Sequence, residues 1–376
     1  MYDIVLTGGR VVDPSQDIDA TTDIAFADGK VAALGPSLAG EKAKEIRDVS
    51  GHIVTPGLVD IHAHVYWGAT YLSVEAERVA RASGTTTFVD AGTAGAGTFH
   101  GFRKLIIEPC PLRIVAFLNI SHAGIYGYGP GFMVGETAEL RLLNAGACVR
   151  VAREHPDLIV GVKVRLGSNV SELVGIGALD VAIEAAEELD LPVMVHIGAP
   201  PPRRKDILAR MRPGDILTHC CRMFPNAAVD RHRNIRREVE EARDRGVIFD
   251  VGHGRGSFDF DVARAMVDNG FLPDVFSSDV HVNCIDGPAF DVLVTMSKFL
   301  SLGAPMMEVV RAATTNAAQA VGRPDLGTLK PGAPGDAVLL KHREGSFEYK
   351  DSLGETMMGD QRLEAAAILV NGAWWD

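Results

Sequence analysis

The sequence predicts an α/β fold in which a (β/α)8 TIM barrel carries a small β-sandwich formed by both ends of the chain. Two observations lead to this prediction. Apolar runs alternate with helical stretches through the middle of the chain, and short strand patterns with turn signals occupy its ends. Strands that alternate with helices imply parallel pairing and right-handed crossovers. A length of 376 residues suits one large domain and one small one.

The two ends of the chain read as short strands separated by turns. Ile24–Phe26 precedes Asp28-Gly29, a dipeptide typical of hairpins, and Ala367–Val370 is an apolar run close to the C-terminus. Neither end has enough apolar residues to build a core alone. Residues 1–54 and 322–376 are therefore predicted to form one small β-sandwich domain together.

Residues 55–321 are predicted to form the barrel. Eight apolar runs read as its strands: Gly57–His64, Thr85–Gly92, Arg113–Ile120, Leu158–Leu166, Leu191–Gly198, Asp215–Cys220, Val247–Gly254 and Val275–His281. Helical stretches such as Leu173–Asp190 and Asn234–Asp244 separate most of them. This repetition favours a (β/α)8 barrel. A doubly wound open sheet is the alternative, although no GxGxxG phosphate loop follows the first strand.

Composition and charge narrow the class of function. A net charge of −12 argues against a nucleic-acid partner. The chain has no apolar run of about 18 residues and no signal-peptide pattern at its start, so no membrane partner is expected. Its five cysteines form no CxxC motif, which indicates free thiols in a reducing compartment. We therefore expect a cytoplasmic protein without a nucleic-acid or membrane partner.

A metal-binding pattern ends the first predicted strand, Asp60-Ile61-His62-Ala63-His64. Alternate residues of a strand point the same way, so His62 and His64 project together and can bind one metal ion. An HxH pair is common by chance and can be purely structural. The interpretation therefore depends on the other strands.

Four further ionisable residues lie in or at the ends of the other apolar runs: Lys163 in the fourth, His196 in the fifth, His219 in the sixth and Asp279 in the eighth. In a barrel the C-terminal ends of all strands meet at one face, where active sites lie. Each residue has a structural explanation by itself, although burying an unpaired lysine is costly. Their joint position at one rim favours a shared site.

Lys163 suits a site for two metal ions. An ammonium cannot ligate a metal, but a deprotonated lysine can add carbon dioxide and form a carbamate whose two oxygens bridge two ions. The remaining ligands divide into two sets, His62, His64 and Asp279 for one ion, and His196 and His219 for the other. Imidazole and carboxylate ligands favour zinc, with manganese, nickel and iron as alternatives.

Several stretches add a family resemblance: Asp3–Pro14, Thr55–His64, Thr315–Ala318 and Gly327–Ala337. With the ordered HxH, Lys, His, His and Asp, they make the chain similar to the amidohydrolase superfamily of binuclear metal hydrolases over nearly its whole length. That group includes dihydroorotases, hydantoinases and N-acyl deacetylases. The resemblance implies that a metal-bridging hydroxide attacks a carbonyl carbon. It also implies that Asp279 takes the hydroxide proton and passes it to the leaving group.

The candidate substrate-binding residues are Tyr66, His122, Arg165, His281 and Asn283. Many relatives carry Arg where this chain has Tyr66. The absence of that arginine disfavours dihydroorotate as the substrate, and the Tyr66 side chain suits an apolar group of a substrate. His122, in a glycine-rich loop that resembles a lid, is a candidate donor to the scissile carbonyl. Arg165 shares a strand face with Lys163 and would bind an anion or pair with an acid. His281 and Asn283 follow Asp279, and His281 is a candidate partner of that carboxylate.

These observations favour a metal-dependent hydrolase of an amide or ester bond in a small acylated compound, such as an acetylated hydroxy or amino acid. A cyclic amidohydrolase acting on a hydantoin-like or dihydroorotate-like ring is the alternative. A non-catalytic homologue is a further alternative, disfavoured because every expected ligand is present. A mononuclear deaminase is disfavoured because no glutamate follows His196 closely. Since relatives often assemble, a homo-oligomer is expected.

Overall fold

The structure is a computed structural model that describes residues 1–375. Short strands build the N-terminal segment, as predicted. They are β1 Tyr2–Thr7, β2 Arg10–Asp13, β3 Ile18–Thr21, β4 Asp23–Ala27, β5 Lys30–Gly35, β6 Ala43–Asp48 and β7 Ile53–Pro56, with a 3-10 turn at Leu38–Gly40.

A parallel sheet occupies the middle of the chain. Its strands, with the intervening hairpin β11–β12, are β8 Leu58–Ala63, β9 Thr85–Gly95, β10 Arg113–Asn119, β11 Gly127–Gly129, β12 Phe132–Val134, β13 Ile159–Leu166, β14 Val193–Ile197, β15 Ile216–Thr218 and β16 Ile248–Asp250. The seven sheet strands lie in the order β16-β15-β14-β13-β10-β9-β8. This sequential order identifies an α/β fold with a curled parallel sheet and differs from the order of a doubly wound sheet. Every residue of β9 is buried, which explains why these strands read as continuous apolar runs.

Helices separate the strands and cover the sheet. They are α1 Ala76–Ser83, α2 Phe99–Phe102, α3 Ala145–Glu154, α4 Gly177–Leu189, α5 Arg204–Leu208, α6 Arg237–Asp244, α7 Phe260–Asp268, α8 Val292–Ser301, α9 Met306–Ala313 and α10 Thr315–Ala320. A π turn at Arg103–Ile107 and a 3-10 turn at Leu140–Leu142 complete the helical segments. In α4 the buried residues recur at helical spacing, as in Ala178, Ala182 and Ala186. Within residues 1–375, no helix combines the length and apolar character that crossing a membrane requires.

The eighth predicted strand, Val275–His281, is the main departure from the expected sheet. This segment is extended but forms only isolated parallel bridges, Val275 with Asp250 of β16 and Val280 with Ala63 of β8. It therefore contacts both edges of the seven-stranded sheet without a continuous ladder. The backbone turns at Asp279, where φ is 47°, so regular strand geometry cannot continue through it.

An apolar cluster fills the inside of the sheet below the polar residues. It combines early strand positions with α10 and the segment after it, and includes Val59, Val89, Val115, Met194 and Ile216. The ionisable residues come later in the same strands. The interior is thus apolar at the start of the strands and polar at their C-terminal ends, as in barrel enzymes.

The strands of the two chain ends form two sheets. The C-terminal strands are β17 Ala337–Lys350, β18 Thr356–Val370 and β19 Ala373–Trp375. One sheet has the order β5-β4-β1-β6 and the other β19-β18-β17-β7-β2-β3. Ile4 and Phe26 of the first sheet share one apolar cluster with Val54, Leu339 and Leu369 of the second. Both termini therefore contribute to the same core, and their existence as a separate domain stays a prediction.

The C-terminal hairpin is longer than its apolar runs indicate. β17 and β18 have 14 and 15 residues, respectively, and pair as far as Lys350 and Thr356. The middle of β18 packs on α8, where the backbone nitrogen of Leu363 donates to Ser297 Oγ at 3.0 Å. Backbone pairing extends the strands through polar residues that hydropathy alone does not mark as β-structure.

Candidate metal centre and active site

A cavity of about 350 Å³ opens at the C-terminal ends of the strands. Three histidines (His62 and His64 at the end of β8, and His196 in β14), Asp279 and His281 line it. Because these segments of the chain lie far apart in the sequence, only the parallel arrangement of the strands brings them together.

His62, His64 and Asp279 converge at one point. The Nε2 atoms of both histidines lie 3.2 Å from Asp279 Oδ1, and the three residues are buried. The alternation of β8 places the two imidazoles on one side, while Ala63 between them pairs with Val280. The backbone nitrogen of Asp279 donates to the His62 carbonyl oxygen at 2.7 Å, which fixes the carboxylate beside the rings.

Hydrogen bonds on the far side of each ring hold these histidines in place. His62 Nδ1 lies 2.8 Å from Thr218 Oγ1, and that hydroxyl donates to Asp250 Oδ2 at 2.6 Å. His64 Nδ1 lies 2.8 Å from Thr93 Oγ1. With Nδ1 bonded to the protein, the Nε2 atoms are left to face Asp279, as in metal sites whose ligands are oriented from behind.

His196 and His219 form a second group. His219 Nε2 lies 2.7 Å from His196 Nδ1, and His219 Nδ1 lies 2.6 Å from the carbonyl oxygen of Gly252. A carbonyl can only accept a hydrogen bond, so His219 carries its proton on Nδ1 and presents a lone pair at Nε2. This pair has no carboxylate of its own within hydrogen-bond distance among the described residues.

Lys163 lies wholly buried next to the first group. Its Nζ is 3.4 Å from His62 Nε2, the one hydrogen-bond contact of this amine within residues 1–375. A Cβ at Gly92 would lie 2.5 Å from the Lys163 Cβ, so a glycine there makes room for the lysine stem. Burial lowers the pKa of Lys163 to about 7.

Burial also keeps the imidazoles neutral. It lowers the pKa of His64 to about 3 and that of His219 to about 3, and it holds the pKa values of His62 and His196 well below the usual range. Neutral imidazole is the form that ligates metals. The electrostatics of the site therefore suit cation binding.

Two of these side chains sit on strained backbone. His219 has φ 72° and Asp279 has φ 47°, both in the left-handed region that non-glycine residues rarely occupy. A Cβ at Gly254 would lie 2.2 Å from Asp279 Oδ2, so this neighbour has to be a glycine. Strain of this kind persists where the surroundings fix it and clusters at functional sites.

The donor set fits divalent metal ions. Two imidazole nitrogens and a carboxylate oxygen converge at one point, and two further imidazole nitrogens face each other close by. Nitrogen and oxygen donors of this kind match zinc and related transition metals. His62, His64 and Asp279 could hold one ion, and His196 and His219 a second beside Lys163.

The predicted substrate residues divide into two groups. Arg165 and His281 line the cavity. Tyr66, His122 and Asn283 do not line it. Arg165 pairs with Glu136 at 3.2 Å, as its alternative interpretation predicted.

The other three residues have packing or surface positions. The Tyr66 ring stacks on Phe102 with centroids 4.5 Å apart, and His122 is exposed. Asn283 Nδ2 donates to the Tyr128 hydroxyl at 2.9 Å. Tyr66 therefore packs under its loop. The segment after β10 reaches the cavity through Tyr128 and Met133 of the hairpin and not through His122.

Sequence reasoning missed one cavity residue with a marked environment, Arg222. It is buried, it lines the cavity, and it follows the left-handed turn at His219 by three residues. The signal was an arginine in the otherwise apolar stretch Cys220-Cys221-Arg222-Met223. Arg255, in the loop after β16, also lines the cavity.

Comparisons with known proteins identify the family of this chain. The profile of the Amidohydrolase family matches residues 223–372. Over 338 residues the chain is 34% identical to a deacetylase of Brucella anthropi, with 90% of this chain and 83% of that protein covered. The chain belongs to the amidohydrolase family.

Solved structures extend the likeness to this amidohydrolase's whole length. The crystal structure of an adenine deaminase matches with a TM-score of 0.92 and 29% identity, covering 100% of both chains. That of a dihydroorotase matches with a TM-score of 0.89 and 31% identity, covering 100% of this chain and 99% of the other. Fold and family are therefore shared by proteins whose names differ, so the substrate has to be argued from the site.

Proposed function

We propose that this amidohydrolase cleaves an amide or ester bond in a small acylated compound, in the manner of a deacetylase. The observation that carries the proposal is the convergence of His62, His64 and Asp279 beside His196, His219 and the buried amine of Lys163. The Brucella anthropi relative with 34% identity is a deacetylase, which supports this reaction class.

We propose that the site holds two divalent ions, with zinc favoured by the imidazole and carboxylate donors. The His196 and His219 pair has no acid of its own, and the Lys163 amine lies in the buried centre of the site. A carbamate on Lys163, formed with carbon dioxide, would supply the missing oxygen donors. When bound, such ions supply an activated water and a polarised carbonyl.

The protein's own residues would move the proton. Asp279 directs Oδ1 at both histidines, while Oδ2 has no hydrogen-bond donor among the described residues. We propose that Asp279 accepts the proton of the attacking water and then donates it to the leaving amine or alcohol. A buried carboxylate at this position can act as base and then as acid within one turnover.

The experiment is an assay of the zinc-loaded protein on two substrate panels, one of N-acetyl and O-acetyl compounds and one of hydantoins, dihydropyrimidines and dihydroorotate. We expect turnover in the first panel. Faster turnover of the cyclic amides would establish the alternative, a cyclic amidohydrolase. The similarity to a dihydroorotase structure at 31% identity supports testing it. Absence of bound metal and of any turnover would instead indicate a non-catalytic homologue.

The finer architecture also belongs to this proposal. We propose that residues 275–281 complete a (β/α)8 barrel over 55–321 and that the two terminal sheets form a β-sandwich domain. The bridges of Val275 and Val280 to opposite sheet edges support the first part. The five free cysteines are consistent with work in a reducing compartment such as the cytoplasm, and the homo-oligomer remains a prediction.

A further inference from the structure

The active-site cavity carries more positive than negative groups. Arg165, Arg222 and Arg255 all line it. Glu136 neutralises Arg165 through an ion pair of 3.2 Å, and both side chains are largely buried. Two guanidinium groups are therefore left without a carboxylate partner among the described residues.

Arg222 is the more informative of the two. It is 8% exposed, and its Nη1 donates to the carbonyl oxygen of Ile197. Its Nε is buried and has no hydrogen-bond partner within residues 1–375. A buried donor without an acceptor is costly, which makes this group a candidate for pairing with a ligand.

Arg255 is the second unpaired arginine of the cavity wall among the described residues. It belongs to the loop after β16, is exposed, and makes no hydrogen bond or ion pair with the described part of the chain. Leu72, Met133 and Val170 form apolar parts of the same wall. The cavity thus joins two available guanidinium groups to an apolar surface.

We propose that Arg222 and Arg255 bind a carboxylate of the substrate, so that the acylated compound is an acid with an apolar group beside it. Planar guanidinium matches a carboxylate well, and such hydrogen bonds are strong. The inference rests on the proposed function and names its substrate class. It also moves the anion-binding role from Arg165, whose charge Glu136 already balances, to Arg222 and Arg255.

The kinetic test compares N-acetyl and O-acetyl carboxylic acids with their primary amides on the zinc-loaded enzyme. We expect kcat/KM to favour the acids by about 30-fold, because hydrogen bonds to charged groups contribute more than neutral ones. The preference should disappear in Arg222→Gln and weaken in Arg255→Gln. Equal kcat/KM values for acids and amides in the wild type would overturn the inference.

Controls separate the anion-binding role from a folding defect. Arg255 is exposed, so Arg255→Gln should fold even if Arg222→Gln does not. The matched control is Arg237→Gln, whose arginine is 88% exposed on α6 and distant from the cavity lining. It should keep the acid preference of the wild type. An acid preference that survives both cavity substitutions contradicts the proposal.

A binding measurement keeps the inference separate from the hydrolase proposal. Titration calorimetry with benzoate and phenylacetate on the metal-loaded protein should show affinity about tenfold weaker in Arg222→Gln and Arg255→Gln than in Arg237→Gln. If no acyl compound is hydrolysed but this dependence holds, the proposed function fails and the anion site stands. If hydrolysis occurs and carboxylate affinity is the same in all variants, the anion site alone is wrong.

Discussion

Two wholly buried lysines, Lys163 and Lys298, occupy contrasting environments in this protein. Burial lowers the pKa of each to about 7. Lys298 on α8 donates to Pro288 O at 2.9 Å and Lys350 O at 2.7 Å, and it lies 2.6 Å from His253 Nε2. These three acceptors match the three donors of an ammonium. Within residues 1–375 the Lys163 amine has one hydrogen-bond contact, at 3.4 Å from His62 Nε2.

The difference separates a structural lysine from one suited to chemistry. Lys298 ties the end of the C-terminal hairpin to the loop after β16, and its hydrogen-bonding capacity is used up by the protein. Lys163 has unused hydrogen-bonding capacity and lies among the candidate metal-ligand atoms. Burial and a lowered pKa are therefore shared by both lysines, and the number of partners distinguishes their roles. Four experiments test this contrast.

Replacement of Lys163 should have the largest effect. We expect Lys163→Ala to lose one of two metal ions and about 10⁴-fold in turnover, since a catalytic metal contributes several kcal/mol to the transition state. Metal analysis and kcat measure the two effects, and short carboxylates should restore part of the metal content. The matched control is Lys205→Ala at an exposed position. Unchanged metal stoichiometry would exclude the bridging role.

Asp279→Asn should show whether the role of Asp279 in proton transfer is distinct from its role in metal binding beside Lys163. We expect turnover to fall about 10³-fold, because a general base contributes on this scale. The metal content should fall less than in Lys163→Ala, and the circular dichroism spectrum should stay unchanged. Asp286→Asn, at a side chain 84% exposed, is the control. Near-normal turnover with metal bound would remove Asp279 from the mechanism.

Lys298→Met should change stability and leave the metals in place. The variant leaves three buried acceptors unpaired, so we expect the free energy of unfolding to fall by about 2 kcal/mol. Denaturant unfolding measures this, and metal analysis should give the wild-type stoichiometry. A Lys298→Met protein that is as stable as the wild type but lacks a metal ion would reverse the assignment of the two lysines.

The pH dependence of the Lys298 effect should be the smallest change. The folded pKa is lowered to about 7, whereas an unfolded lysine titrates near ~10.4. Between these values the unfolded chain binds a proton that the folded chain does not, so stability rises with pH. The free energy of unfolding of the wild type should therefore rise by about 1 kcal/mol relative to that of Lys298→Met between about pH 7.5 and 8.5. A stability difference that shrinks with pH would contradict the lowered pKa.

The sequence predicted the order of the strands and the polar residues at their ends. Alternating apolar runs and helical stretches placed the seven strands of the parallel sheet correctly within a few residues, because strands buried on both faces leave a continuous apolar signal. The hairpin β11–β12 was not predicted. Strand-end positions brought together His62, His64, His196 and His219. The family resemblance covered nearly the whole chain, and the family assignment agrees with it.

Other features required coordinates. Thr218 and Thr93 behind the histidines depend on neighbouring strands whose register the sequence does not state. Residues 275–281 kept their apolar signal, but among the described residues they form only the isolated bridges of Val275 and Val280, and their backbone turns at Asp279. Tyr66 lies near the HxH motif in sequence but packs on Phe102. The position of Arg222 in the cavity depends on the left-handed turn at His219. No glycine, asparagine or proline in the sequence predicts a turn there.

The left-handed backbone at His219 and Asp279 affects how this protein can be engineered. Glycine or asparagine would adopt φ 72° and 47° more easily, so such replacements should raise the melting temperature of the metal-free protein. A screen that rewards heat tolerance alone would thus collect inactive survivors changed at these two positions. Mutant libraries intended to raise the thermal stability of this enzyme should keep both codons unchanged and vary other positions.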